Sequence, residues 1–136
     1  WRKGTRRLGK YGDRIRVVNR TRGTVLATAA DVAGTSETRR EGLLKRTGLD
    51  PGEGLWIAPC EAVHCFFMKF TIDVLFLSKD LRVVKTRPGL KPWRISGSIR
   101  AHSTLELPEG TIEATGTQAG DQLEFERADA QPDAGE

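Results

Sequence analysis

Alternation of apolar and polar side chains starts at Arg14. Arg14–Val18 places Ile15 and Val17 on one face and reads as a strand. Thr24–Val32 is rich in small and β-branched residues and predicts a second strand, with Arg20–Gly23 as the turn of an opening hairpin. "GTSETRREGLLKRTGLDPGEG", residues 34–54, breaks the rhythm. Thr35 or Ser36 can cap a helix that carries Glu37 in its first turn and Lys45 and Arg46 in its last, and Gly48 and Pro51 end it. Leu43 and Leu44 give it a narrow apolar stripe. Strand patterns then resume at Leu55–Ile57, Val63–Phe70 and Ile72–Leu77. "SKD" at 78–80 separates Asp73–Leu77 from Arg82–Arg87, a hairpin signal. "PGLKPWRISGS" predicts a long loop with Trp93 plugging the core beneath it. Ser103–Leu107 and Gln122–Glu126 complete the strands, with a short helix over 109–115 between them.

The pattern predicts a mostly β fold, a small barrel- or sandwich-like antiparallel domain with one longer helix and one short one. Three regions follow: a basic flexible arm at 1–13, a single β-rich domain at 14–126, and a disordered tail at 127–136.

Composition adds limits. At 136 residues the chain is one domain in length and long enough for a core without disulfide or metal staples. Its 38% hydrophobic and 29% charged content reads as a soluble domain. No apolar run approaches the roughly 18 residues of a membrane-spanning helix. The first residue is Trp1, so the expected setting is cytoplasmic, or exported after removal of an N-terminal signal or anchor absent from this chain. Two cysteines are too few for a disulfide framework.

The net charge of +4 hides an asymmetry. Residues 1–22 hold nine basic side chains against Asp13 alone, and the remainder is acidic by four charges. A basic arm of this kind can touch nucleic acid or an anionic membrane surface. A solvated lead-in is the plainer reading.

Candidate chemistry concentrates in "APCEAVHCFFMKFTID", residues 58–73, where Cys60, His64, Cys65 and Met68 fall close together. In one unbroken strand, His64, Phe66, Met68, Phe70, Ile72, Val74 and Phe76 share a face, so Met68 reads as core filler. Cys60 and His64 can approach one metal ion if Cys60 folds back, although three or four ligands are the usual standard. The same pair can serve as thiol and base, with Asp73 or Glu106 orienting the imidazole. "GTRRLGKY", residues 4–11, imitates a phosphate-binding loop but has Tyr11 where Ser or Thr is required. "NRT" at 19–21 fits a glycosylation sequon, of consequence only in a secreted eukaryotic chain. Arg40, Cys60, His64, Asp73 and Glu106 remain as binding-pocket candidates. For Arg40, Asp73 and Glu106, salt bridges or bonds to loop backbone are the structural reading. Glu106 lies opposite Leu105 and Leu107 in a regular strand.

Several ordered pieces carry a family resemblance: Arg40–Gly42–Leu43, Gly54–Leu55–Trp56, Pro59–Cys60, His64, Met68, Phe70, Ile72–Asp73, Pro92–Trp93, Leu105–Glu106–Leu107, Gly110 and Gly120–Asp121. From about Asn19 to about Glu126 the chain resembles the bacterial and archaeal domain-of-unknown-function 192 family, also called uncharacterised protein family 0127. Two departures stand out. Cys65 occupies a position usually held by a small hydroxyl residue, and Thr71 stands where the family usually has proline. If the family's strand break is kept there, the face assignments beyond Phe70 flip. The resemblance implies a compact β fold with a helix near Arg40 and no established activity. The expectation is a non-enzymatic binding or accessory module for an unidentified ligand or partner protein, with no cofactor. The alternatives are a metal or thiol site on Cys60 and His64, and a nucleic-acid or anionic-lipid contact through residues 1–22.

Overall fold

The computed structural model describes residues 14–35, 43, 46–60, 62–64 and 69–128, with backbone alone at 62–64. Its strands are β1 (Ile15–Asn19), β2 (Thr24–Ala33), β3 (Glu53–Ile57), β4 (Ala62–His64), β5 (Ile72–Leu77), β6 (Val83–Leu90), β7 (Ile95–Gly97), β8 (Ser103–Pro108) and β9 (Leu123–Arg127). The helix among the described residues, α1, spans Thr111–Thr115. Seven strands form one sheet in the order β6-β5-β8-β3-β2-β1-β9, and β4 pairs with β7 in a separate ribbon.

The opening hairpin forms as its pattern predicts, with Gly23 at a positive φ of 72° in the turn. The β5–β6 hairpin forms across Ser78–Asp80, tied by the Ser78 hydroxyl donating to Asp80 at 2.6 Å. One neighbouring pair, β2–β3, is parallel, with Asp31 opposite Leu55 and Ala33 opposite Ile57. Parallel neighbours need a long crossover, which the chain between Ala33 and Glu53 supplies.

The sheet curls until its two edges meet at one end. Val83 N–H donates to Asp121 at 2.8 Å, Gly120 N–H to Val83 at 2.7 Å, and Leu123 N–H to Leu81 at 2.9 Å. The result is a half-barrel. Its concave interior gathers Val17, Leu26, Ala27, Ala30, Leu75, Leu77, Val83, Leu105, Leu107, Ile112 and Leu123. Only a curled sheet brings the edge residues Val83 and Leu123 into one cluster. On the convex face, Ala33, Leu55, Ile57, Ile72, Val74, Phe76 and Leu90 form a second core, covered in part by Leu43 and Leu49. Strand β5 is therefore buried on both sides at all six positions, which explains its apolar run Val74–Leu77.

Three expectations need correction or bounding. The run 63–70 is not one strand: β4 stops at His64, Lys69 and Phe70 are outside any strand, and β5 belongs to another sheet. The break before Ile72 thus persists despite Thr71, and His64 shares no strand face with Val74. Trp93 is 56% exposed and does not plug the core, because it sits at the corner of a turn closed by Arg94 N–H to Lys91 at 3.2 Å. The longer helix expected after Thr35 falls almost wholly outside the described residues, as do the arm at 1–13 and most of the tail.

Candidate functional site

The convex face is laid out in rows across the strands. One row runs Asp31, Leu55, Glu106, Val74; the next runs Ala33, Ile57, Thr104, Phe76. Glu106 is in the middle of β8, an interior strand between β3 and β5. It is 5% exposed, and its Oε1 has no hydrogen-bond partner. Burial pushes its carboxyl up to about 8. At neutral pH the group is therefore mainly a neutral acid, able to donate one hydrogen bond and accept others.

Two strands away in the same row, roughly 10 Å across the sheet, Asp31 is buried and ionically paired. Arg14 Nε lies 3.1 Å from its Oδ1, and Arg46 bonds its Oδ2. Arg46 also stands 3.7 Å from Glu53. The sequence signal for this anchor was a lone acid inside the small-residue run of β2, and pattern reading passed over it.

Cys60 sits at the rim of the same face. Its N–H donates to the His102 carbonyl at 2.8 Å, and its carbonyl accepts from the Thr104 hydroxyl at 3.1 Å. Its side chain is half-buried against the convex core. Pro59, Cys60, Ala101 and His102 line a depression of about 350 Å³. His102 thus lines the same depression as Cys60, although the two are far apart in the chain and no sequence pattern pairs them. His64 ends β4, opposite Ile95 of β7. Arg40 lies outside the described residues. Among the described residues, no group of three or more His, Cys, Asp or Glu is placed to hold a metal ion.

Asp73 lies on the other face. It pairs with Leu107 in register, whereas Val74 pairs with Glu106. Its Oδ1 accepts from Gly89 N–H at 2.9 Å, and its Oδ2 accepts from Gly110 N–H at 3.1 Å and Ile112 N–H at 2.9 Å. This carboxylate fastens the end of β6 and the first turn of α1 to β5. Asp73 and Glu106 do not converge on one pocket.

A second fastening lies at the closed end of the half-barrel. Asp121 accepts from Arg22 Nε at 2.9 Å, Asn19 Nδ2 at 3.0 Å and Gln118 N–H at 3.0 Å. Burial pushes the Asp121 carboxyl upward, but bonds from Arg22, Asn19 and Gln118 outweigh it and hold the group down at about 2. The basic arm is also partly spoken for. Arg14 pairs with Asp31, Arg16 with Glu126, Arg20 with Glu124 and Arg22 with Asp121. These four cations knit β1 and its turn to β2 and β9. The arm's other five lie outside the described residues.

Residues 17–125 match the profile of the family DUF192, described as "Uncharacterized ACR". A UPF0127 protein of Thermococcus sibiricus is 30% identical over 118 residues, covering 81% of this chain and 74% of that protein. A UPF0127 protein of Pyrococcus furiosus is 43% identical over 67 residues, covering 48% of this chain and 57% of its own length. The chain thus spans little more than half of that relative. Among solved structures, a Sinorhizobium meliloti protein described as a candidate transcription regulator superposes with a TM-score of 0.74 at 24% identity, over 85% of this chain and 95% of its own. A Novosphingobium aromaticivorans protein of unknown function gives 0.70 at 21%, over 82% of this chain and 83% of its own. At these identities the structural likeness speaks to the fold alone.

Proposed function

This chain belongs to the domain-of-unknown-function 192 family, and we propose that it acts as a non-enzymatic binding module whose site is the convex face around Glu106. The observation that carries this reading is the partnerless Oε1 of a buried carboxyl. Leaving such a group unsatisfied costs about 1–3 kcal/mol. Asp73 and Asp121 show what this fold does with structural carboxylates: each accepts three or more bonds. Glu106 returns no such stabilisation, and a ligand that hydrogen-bonds a neutral carboxyl is the role left to it. Leu55, Val74 and Phe76 around the acid are fully buried, so an apolar molecule bearing an amide, carbonyl or hydroxyl would reach Glu106 by displacing the cover over this core.

The test is a thermal-shift panel of aromatic and aliphatic amides and alcohols on wild type, Glu106→Gln and Glu106→Leu. Panel members should raise the melting temperature of wild type, less so of Glu106→Gln, and not of Glu106→Leu. Equal shifts in wild type and Glu106→Leu would remove Glu106 from the site.

A second reading rests on Cys60 and His102 lining one depression. A thiol beside an imidazole suits a soft metal or thiol chemistry. Elemental analysis of untagged wild type beside Cys60→Ser, His64→Ala and His102→Ala separates the cases. A near-stoichiometric ion lost with Cys60→Ser favours this reading, and the histidine whose loss also releases it is the second ligand.

A further inference from the structure

From Leu81 through Leu105 the chain contains no Asp or Glu and six Lys or Arg: Arg82, Lys85, Arg87, Lys91, Arg94 and Arg100. The middle of this stretch is the β7 ribbon, and it is built to expose apolar side chains. Trp93 is 56% exposed, Ile95 66% and Ile99 92%. Each end of β7 is a tight turn. Lys91–Arg94 is closed by its backbone bond at 3.2 Å, with Pro92 second and Trp93 third at a positive φ of 69°. Pro then a left-handed residue is the type II pattern, and a Trp in the left-handed position is conformationally unfavourable. Ser98–Ala101 is closed by Ala101 N–H to Ser98 at 3.0 Å, with Ile99 and Arg100 at its corners. Each turn thus presents one large apolar residue and an adjacent cation.

Lys91, Arg94 and Arg100 are exposed and make no ion pair among the described residues, unlike the arginines of β1. Lys85 ties the ribbon to the body, donating from Nζ to the Gly97 carbonyl at 2.8 Å while its ammonium stands 5.6 Å from the Phe76 ring centre. Adjacent β4 adds no acid, reading Ala62, Val63, His64.

We infer that the β7 ribbon and its two turns dock on an anionic lipid surface. The cations meet the headgroups, and Trp93, Ile95 and Ile99 enter the headgroup–acyl boundary. Trp with flanking Lys and Arg suits that boundary, where the ring and the basic stems are half apolar and half wet. Two isoleucines beside one aromatic favour lipid over single-stranded nucleic acid, whose bases need aromatic stacking platforms. The surface lies apart from the Glu106 site and does not depend on it. It is also distinct from the N-terminal arm.

The test is co-sedimentation of the full chain with phosphatidylcholine vesicles, with and without about one-third phosphatidylserine, the anionic lipid that creates the attraction. Three variants are compared. One is Lys91→Gln, Arg94→Gln, Arg100→Gln. One is Trp93→Ser, Ile95→Ser, Ile99→Ser. The third neutralises Arg2, Lys3, Arg6, Arg7 and Lys10 to Gln. Wild type should bind the phosphatidylserine vesicles and not the neutral ones. Each cation near such a surface is worth about fivefold, so the ribbon charge variant should lose roughly a hundredfold. The apolar variant should lose the binding that survives high salt, and the arm variant should bind within a few fold of wild type. The six ribbon sites are exposed, so unchanged circular dichroism should accompany each loss. No binding to anionic vesicles, binding unchanged in both ribbon variants, or capture of a single-stranded oligonucleotide in place of vesicles would each overturn the inference.

Discussion

Glu106→Gln keeps the side chain's size and removes its proton equilibrium, so it isolates the energetic consequence of burying that carboxyl. In the folded protein the group ionises near 8, against an ordinary value of 4.5. Folding therefore favours the protonated form. Below the ordinary value both states are protonated and the fold carries no ionisation penalty. As pH rises toward 8 the unfolded chain releases a proton that the folded one keeps, so stability falls; above 8 the loss levels off. Each pH unit in that window is about 1.4 kcal/mol. The loss is roughly 3 kcal/mol at pH 7 and about 5 kcal/mol once pH passes the folded value. Wild type should lose about 4 kcal/mol relative to Glu106→Gln between pH 5 and pH 8, on the order of 15 °C in melting temperature for a chain of this size. Urea denaturation of both proteins across that range measures it directly, and other titrating groups cancel in the difference. Parallel stability curves would refute the reasoning, because they would mean that Glu106 ionises in the folded state as it does in water.

The structural carboxylates stabilise the fold through the bonds they accept. Asp73→Ala strands three backbone N–H groups at the β6 end and the start of α1, and should cost about 3–5 kcal/mol by denaturant titration; a loss under 1 kcal/mol would mean that these bonds are replaced by solvent. For Asp121 the folded value near 2 lies below the ordinary 3.8, so its stabilisation is complete above 3.8 and fades as pH drops through about 2. Arg22→Ala removes two of its bonds, at 2.9 and 3.3 Å, and should move the midpoint of acid unfolding to higher pH, as followed by circular dichroism.

The sheet was largely legible because its signals are local. Alternation at Arg14–Val18 and the Ser78–Asp80 turn each act over a few residues, and the seven strands of the main sheet formed close to their expected places, whereas 63–70 is not one strand and β7 lies within the expected loop. What escaped the sequence depended on closure. The Leu81–Leu123 and Val83–Asp121 contacts join positions far apart in the chain, and they turn a mixed sheet into a half-barrel with two buried faces. Once both faces are buried, alternation no longer separates core from surface. That is why Glu106, correctly placed opposite Leu105 and Leu107, could not be read as buried. Trp93 failed for a related reason: size predicts burial on average, but a residue at a turn corner goes where the turn points it.

The site was legible only one residue at a time. Asp73 and Glu106 were both visible as acids among apolar neighbours, and their spacing in sequence said nothing of their relation. Register decides it, since one position of offset across the β5–β8 pair sends them to opposite faces. The consequence is a division of labour among the carboxylates. Asp73 on the concave side, Asp31 in the convex row and Asp121 at the closed end have their oxygens filled by backbone, amide or arginine donors, and perturbing them is a matter of stability. Among the described residues four buried side-chain atoms lack partners: Thr24 Oγ1, Trp56 Nε1, Ser103 Oγ and Glu106 Oε1. Three belong to groups that stay neutral, and a missed bond there has a modest cost. Of these four Glu106 alone is ionisable, and its raised value makes the fold's stability depend on pH around neutrality. A ligand that accepts a hydrogen bond from its neutral carboxyl would bind more tightly on the acidic side of about 8 and would raise that value further, because it favours the protonated form, whereas a ligand that donates to it would lower that value. Ligand affinity and folding stability at this position are thus linked through one proton.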